Sequence, residues 1–276
     1  MSDGPVFDVP LPPLDSAACR CRVRYGTFHE QLSFCRTMPA AAADLSALRS
    51  RLRALERGGA ATERSAVKLG DLTLDAALPW GGLARSGVHQ LEGLAGEASV
   101  SGFAAGLAAR CAGPAGRLLW LRLRRDRQEA GLPYGPGLAR YGIAPARLIL
   151  AEADSAAAML WALEEALRCG VLSVALAEGV APDLTASRRL QLAAEASGVT
   201  ALLVSHGPAP ARSAVMTRWR VAAAPSPSGV HRPRWQVELL RCRGGRPGSW
   251  MLEWENAALG FSVVPALAGR ALAQAV

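Results

Sequence analysis

The sequence predicts an α/β protein, a mostly parallel sheet flanked by helices, with a C-terminal antiparallel extension. Three observations carry this. Apolar strand-like and helix-like stretches alternate four times between residues 88 and 204, the pattern of parallel strands joined by crossover helices. The last third changes period, to the short alternating stretches 217–223, 235–243 and 249–255, split by the turns SPSG and GGRPG. The chain has 276 residues, half of them hydrophobic, which suits one large core with extensions.

In chain order, residues 1–40 hold Pro5, Pro10, Pro12 and Pro13 and the Arg/Cys-rich run CRCRVRYG, and no period is sustained. They are expected to be a disordered N-terminal extension, and Met38 offers a second start for translation. Residues 41–58 predict a helix in which Leu45, Leu48, Leu52 and Leu55 recur at heptad-like spacing, with Arg49, Arg51, Arg53 and Arg57 mostly off that face. That stripe either lies on its own domain or docks on a partner. Residues 59–70 read as a linker, 71–256 as the core domain and 257–276 as an Ala-rich tail. Within the core, a turn-rich approach containing Pro79, Gly81 and Gly82 leads to a short strand, Val88 to Leu91. A small-residue loop then opens at Gly93, and a helix follows from about Gly102 to Cys111. Strands are expected at 117–123, 147–150, 171–177 and 199–204. Helices are expected at 155–169, with Ser155 as N-cap, and at 184–196.

The formal charge is +8 and the isoelectric point about 9.8, a balance that favours nucleic acid or another acidic partner. GC-rich coding would produce the same bias, because Lys68 is the only lysine among 31 basic residues. The six cysteines (Cys19, Cys21, Cys35, Cys111, Cys169 and Cys242) form no C-x-x-C pair, which argues against a structural zinc site. No apolar run reaches membrane-spanning length and no signal-peptide pattern opens the chain, so the cytoplasm is the expected location. With four histidines and no recognisable nucleophile elbow, no nucleophile–base–acid set can be assembled.

Strand, glycine loop, helix is the layout of a phosphate-binding loop, in which backbone amides and a helix N-terminus cradle phosphates. The chemistry here departs from it. Counted from Gly93, the second glycine of G-x-x-x-x-G-K-[ST] falls on Ala98, the lysine on Ser99 and the hydroxyl residue on Val100. Lys68 precedes the strand and cannot substitute.

Residues 72–93, LTLDAALPWGGLARSGVHQLEG, resemble the approach to the core of RecA-type recombinases. Residues 141–179 are similar to the segment of that family that leads into its Walker B strand, with Glu178 where the family has an Asp. The stretches 183–204 and 235–257 are similar to the ImuA family within the RecA-like group, and the resemblance spans roughly residues 40–265. It implies a RecA-like fold and a non-catalytic accessory role in SOS-induced mutagenesis and translesion synthesis. The implied partners are ImuB, RecA and, through the complex, an error-prone C-family polymerase; no cofactor is implied. Two other readings stay open at this point: a RecA-like ATPase with an atypical loop, and a SulA-like division inhibitor.

Ser205 and His206 follow the strand that, in RecA-type proteins, couples nucleotide to a DNA-binding loop. Arg124, Arg125, Arg218 and Arg220 are candidates for weak contact with single-stranded DNA. Trp219, Trp235, Trp250 and Trp254 alternate with arginines in the C-terminal strands. That mix fits either a base-stacking surface or a one-sided sheet with tryptophan inward and arginine in water.

Overall fold

The computed structural model describes residues 65–126, 131–226 and 232–265, and the backbone of two strands, 7–10 and 20–24. The strands are β1 (Phe7–Pro10), β2 (Arg20–Arg24), β3 (Ala66–Val67), β4 (Leu83–Ala84), β5 (Val88–Gly93), β6 (Leu118–Leu123), β7 (Leu148–Ala153), β8 (Val174–Glu178), β9 (Thr200–His206), β10 (Thr217–Ala223), β11 (Arg234–Cys242), β12 (Gly248–Glu255) and β13 (Gly260–Val263). The helices are α1 (Leu72–Ala77), α2 (Ser99–Ala112), α3 (Gly135–Ala139), α4 (Ala156–Cys169) and α5 (Leu184–Ser197). Eleven strands form one sheet in the order β1-β2-β7-β6-β8-β9-β5-β10-β11-β12-β13. From β7 to β10 every neighbour is parallel. Both flanks are antiparallel, with β1 and β2 at one edge and β11 to β13 at the other.

The parallel strands read as unbroken apolar runs because both faces are covered. All six residues of β5 and of β6 are buried, as are all five of β8. One face packs on α2 and the other on α4 and α5. Around α2 lies an aromatic cluster: Phe103 stands 5.0 Å from Phe261 and 5.7 Å from Trp235, and Trp254 stands 5.0 Å from Phe261. Trp219, Trp235 and Trp254 are thus core residues, which favours the one-sided sheet over a stacking surface. Gly106 permits the fit, since a Cβ there would lie 2.7 Å from Phe261 Cζ.

Side-chain oxygens cap the starts of α1, α4 and α5. Asp71 accepts from Thr73 N at 2.8 Å, Ser155 from Ala158 N at 3.2 Å and Asp183 from Ala186 N at 2.8 Å. At the far end of α2 the carbonyls meet arginines: Arg85 donates to Cys111 O at 3.1 Å and Arg147 to Gly113 O at 2.8 Å. Part of the chain's excess positive charge is therefore spent on its own backbone.

Four expectations need correction. The 59–70 segment is not only linker, because β3 pairs with β4 and Val67 and Leu69 are buried in the core. The 257–276 segment is not only tail, because β13 completes the sheet and brings in Phe261. The turn-rich approach begins as α1, capped by Asp71, with Asp75 buried and accepting from Leu69 N at 2.8 Å. Within the N-terminal 40 residues, β1 and β2 extend the sheet along β7, so the expected disorder does not hold for those nine residues. The rest of residues 1–64 lies outside the described residues, including the predicted helix at 41–58.

Candidate functional site

The C-terminal ends of β5, β6, β8 and β9 open into a cleft of about 820 Å³, closed on one side by the loop after β5 and the start of α2. Open α/β sheets bind ligands at this end. The loop turns tightly at Gly93, where a Cβ would lie 2.7 Å from the Val100 side chain. Ala98 stands at the N-cap of α2 without a side-chain cap bond. Ser99, in the lysine's place, donates its hydroxyl to Glu97 at 3.0 Å, and its carbonyl accepts from Trp235 Nε1 at 2.9 Å. Val100, in the hydroxyl residue's place, is fully buried. The loop therefore brings a carboxylate, Glu97, to the cleft and no cationic side chain.

Glu178 ends β8 on the cleft floor, 4% exposed. Ser101 donates to its Oε1, Trp120 Nε1 donates to Oε2 at 2.9 Å, and His206 Nε2 lies 3.3 Å from Oε1. Strand register sets Arg122 directly beside it. The Arg122 Nε lies 2.9 Å from Oε2 but makes no aligned hydrogen bond, so charge holds that pair. Arg122 also donates to Gly131 O at 2.6 Å. Burial alone would raise the Glu178 carboxyl; the hydrogen bonds from His206 and Ser101, the Arg122 charge and the Trp120 donor outweigh it and hold it at about 2. The Glu178 hydrogen bond in turn raises His206, which Asp126 reinforces and partial burial opposes. Glu178 is thus a satisfied buried anion.

Ser101, Trp120 and Arg122 are site residues that motif counting missed. Ser101 lies one position past the motif's end. Arg122 did leave a signal, as the one charged residue in the apolar strand LLWLRL. Of the other histidines, His89 is a core residue: burial lowers it to about 4, its Nε2 donates to Ala84 O at 2.9 Å, and Nδ1 accepts from Thr217.

The structure does not bring the four candidate DNA-contacting arginines together as free cations. Arg124 pairs with Asp154 at 2.9 Å and Arg125 with Asp126 at 3.5 Å. Arg218 and Arg220 converge on Glu92 at 2.8 and 3.1 Å, and Arg220 also reaches Glu238. Arg218 additionally donates to the carbonyls of Ala209 and Pro210, so the β9–β10 connection is fastened to the sheet. Leu45, Leu48, Leu52 and Leu55 lie outside the described residues. Among the described residues no His/Cys/Asp/Glu group could hold a metal ion, and no helix is long and apolar enough to cross a membrane.

No family model matches the chain. It is 37% identical over 243 residues to the Protein ImuA of two Caulobacter vibrioides strains, NA1000 / CB15N and ATCC 19089 / CIP 103742 / CB 15. In each case the match covers 79% of this chain and 96% of the relative.

Proposed function

Because this chain belongs to the ImuA family, we propose that it is a non-catalytic RecA-like accessory factor in damage-induced mutagenesis. In this reading it supports translesion synthesis by docking on ImuB or RecA and, through them, on an error-prone C-family polymerase. The observation that carries the non-catalytic half is the loop over the cleft. Binding and transition state both draw on a lysine at the β/γ-phosphates, and here Ser99 takes that place with Glu97 beside it. Glu178, where a Walker B carboxylate would reach for Mg²⁺, is already paired with Arg122 and hydrogen-bonded by Ser101, Trp120 and His206.

One observation favours the ATPase alternative: the Ser101 hydroxyl sits against Glu178, a hydroxyl–carboxylate pairing of the kind that holds Mg²⁺ in nucleotide sites. Titrating the full chain with a fluorescent ATP analogue and Mg²⁺ decides between them. No saturable binding is expected, and saturable binding that Ser101→Ala abolishes would establish the alternative. Docking is tested separately. Replacing Leu48 and Leu52 with Asp should abolish capture of ImuB or RecA while circular dichroism stays unchanged. Retained capture would remove the leucine stripe as the docking surface.

A further inference from the structure

The cleft holds most of the residues that sequence motifs single out, but a strong unbalanced charge lies elsewhere. At the strand end away from the cleft, β11 runs into the turn Arg243-Gly-Gly-Arg-Pro and on to β12. The connection from β9 to β10 comes down beside it, because Arg241 donates to Ser213 O at 2.8 Å, and this sets Arg212 next to Arg241. Arg243 is fixed by the hydrogen bond from its backbone N to Met216 O at 2.9 Å and by the contact of its guanidinium with Met216 Sδ at 3.7 Å. Arg212, Arg241, Arg243 and Arg246 are all exposed. The acid facing them is Glu195 on α5, 3.9 Å from Arg243. Among the described residues, Arg212, Arg241 and Arg246 pair with no carboxylate. The other arginine clusters are balanced: Glu92, Glu238, Asp154 and Asp126 neutralise those near the cleft, and Glu253 and Glu255 hold Arg232 and Arg234.

We propose that this corner, Arg212, Arg241, Arg243 and Arg246, is a contact surface for the phosphate backbone of nucleic acid. Three features favour phosphates over an acidic protein. Arg241 stands at the end of β11 and Arg243 opens the turn two residues on, at most about 7 Å away along the chain, so they can engage successive phosphates of an extended chain. The turn between the arginines carries Gly244 and Gly245; a Cβ at Gly244 would meet nothing within 4 Å, so a polymer backbone can lie close. Among the described residues, the two segments that carry the patch, 207–216 and 241–248, hold no exposed large apolar side chain of the kind on which protein interfaces concentrate their affinity, whereas backbone binding needs only charge and donors. The surface contributes affinity without reading sequence. It does not depend on the absence of ATP chemistry or on docking by the leucine stripe, so either of those can fail without touching it.

The test is fluorescence anisotropy of the full chain with a 5′-labelled oligothymidylate of about 16 nucleotides, at stepped salt. Arg212→Gln/Arg243→Gln/Arg246→Gln is compared with Arg124→Gln/Arg125→Gln. Arg241 is left intact because it holds the connection in place. On single strands each phosphate contact contributes about 0.7 to the log–log salt slope, so the triple variant should lose about 2 units. The Arg124/Arg125 variant should keep the wild-type slope. The double variant Arg212→Gln/Arg246→Gln, which touches no contact that holds the fold, should lose about 1.4. Absence of low-salt binding by the wild type would overturn the proposal. So would an unchanged slope in the double variant, or displacement of the oligonucleotide by polyglutamate at equal charge, which would mark the corner as a site for acidic protein.

Discussion

Replacing Glu178 with Ala should cost far more than a typical point substitution. The change removes a buried anion and leaves Arg122, whose side chain is 10% exposed, without its counter-charge. Breaking one side of a buried ion pair costs about 3–5 kcal/mol. The carboxyl itself gives a second figure, which includes the same Arg122 charge. Its depression from 4.5 to about 2, at about 1.4 kcal/mol per pH unit, corresponds to roughly 3 kcal/mol. The two routes agree. At about 2–4 °C per kcal/mol for a chain of this size, the midpoint of thermal unfolding should fall by roughly 6–20 °C. Urea denaturation followed by tryptophan fluorescence measures the same loss, and Trp120 reports locally because it donates to this carboxylate. The pH dependence has a fixed sign. A depressed carboxyl contributes stability that is fully present above its unfolded value of 4.5 and is lost as pH falls through about 2, so the gap between Glu178→Gln and wild type should close in acid. A loss below about 1 kcal/mol, or a gap that does not narrow in acid, would mean that Glu178 is solvated and free to hold a metal, and the reasoning about the cleft floor would collapse.

Three more outcomes are expected. Gly106→Ala gains about 1 kcal/mol of helix propensity but forces a methyl against Phe261 and Trp254, which costs about 1–3 kcal/mol; denaturation should show a net loss, and a stabilised variant would mean the aromatic cluster can yield. His206→Asn should raise the Glu178 carboxyl. Because His206 itself is raised in the folded state, its contribution is complete below about 6.5 and fades as pH rises through its folded value, so the variant's deficit should shrink in alkali; a deficit independent of pH would remove the histidine's charge from the account. Deleting residues 1–37 removes β2, which pairs with β7, and β1 beyond it, and amide exchange along Leu148–Ala153 should accelerate; protection equal to the full chain would show that β2 is not a stable neighbour.

The parallel half of the fold was legible because burial on both faces leaves strands such as Val174–Glu178 apolar throughout. The elements that were missed are short. β3 has two residues and β13 four, too few to display a period, and their placement rests on pairing with β4 and β12. α1 carries a capping residue, Asp71, but Pro79, Gly81 and Gly82 close behind it read as turn. In the site, a lone arginine in the apolar strand β6 signals a buried anion. Which anion it meets is a matter of strand register, here Arg122 beside Glu178, and register between β6 and β8 is tertiary information. The same holds for Arg218 and Arg220: their charge is visible in sequence, but Glu92, which neutralises them, stands on a strand 126 and 128 residues away.

The position of β5 has a consequence for how the chain is made. The strand lies between β9 and β10, pairing Val88 with Ala201 and His89 with Thr217. Both neighbours are translated more than a hundred residues after it, which at typical elongation rates means roughly 5–20 s of waiting. During that interval an apolar strand and the Ala-rich helix behind it emerge from the ribosome with no sheet to join. Non-local pairing of this kind folds slowly and exposes sticky surface. Holding the nascent chain soluble until β10 appears is therefore a burden that falls on chaperones, and production of the protein should respond to their supply and to growth temperature.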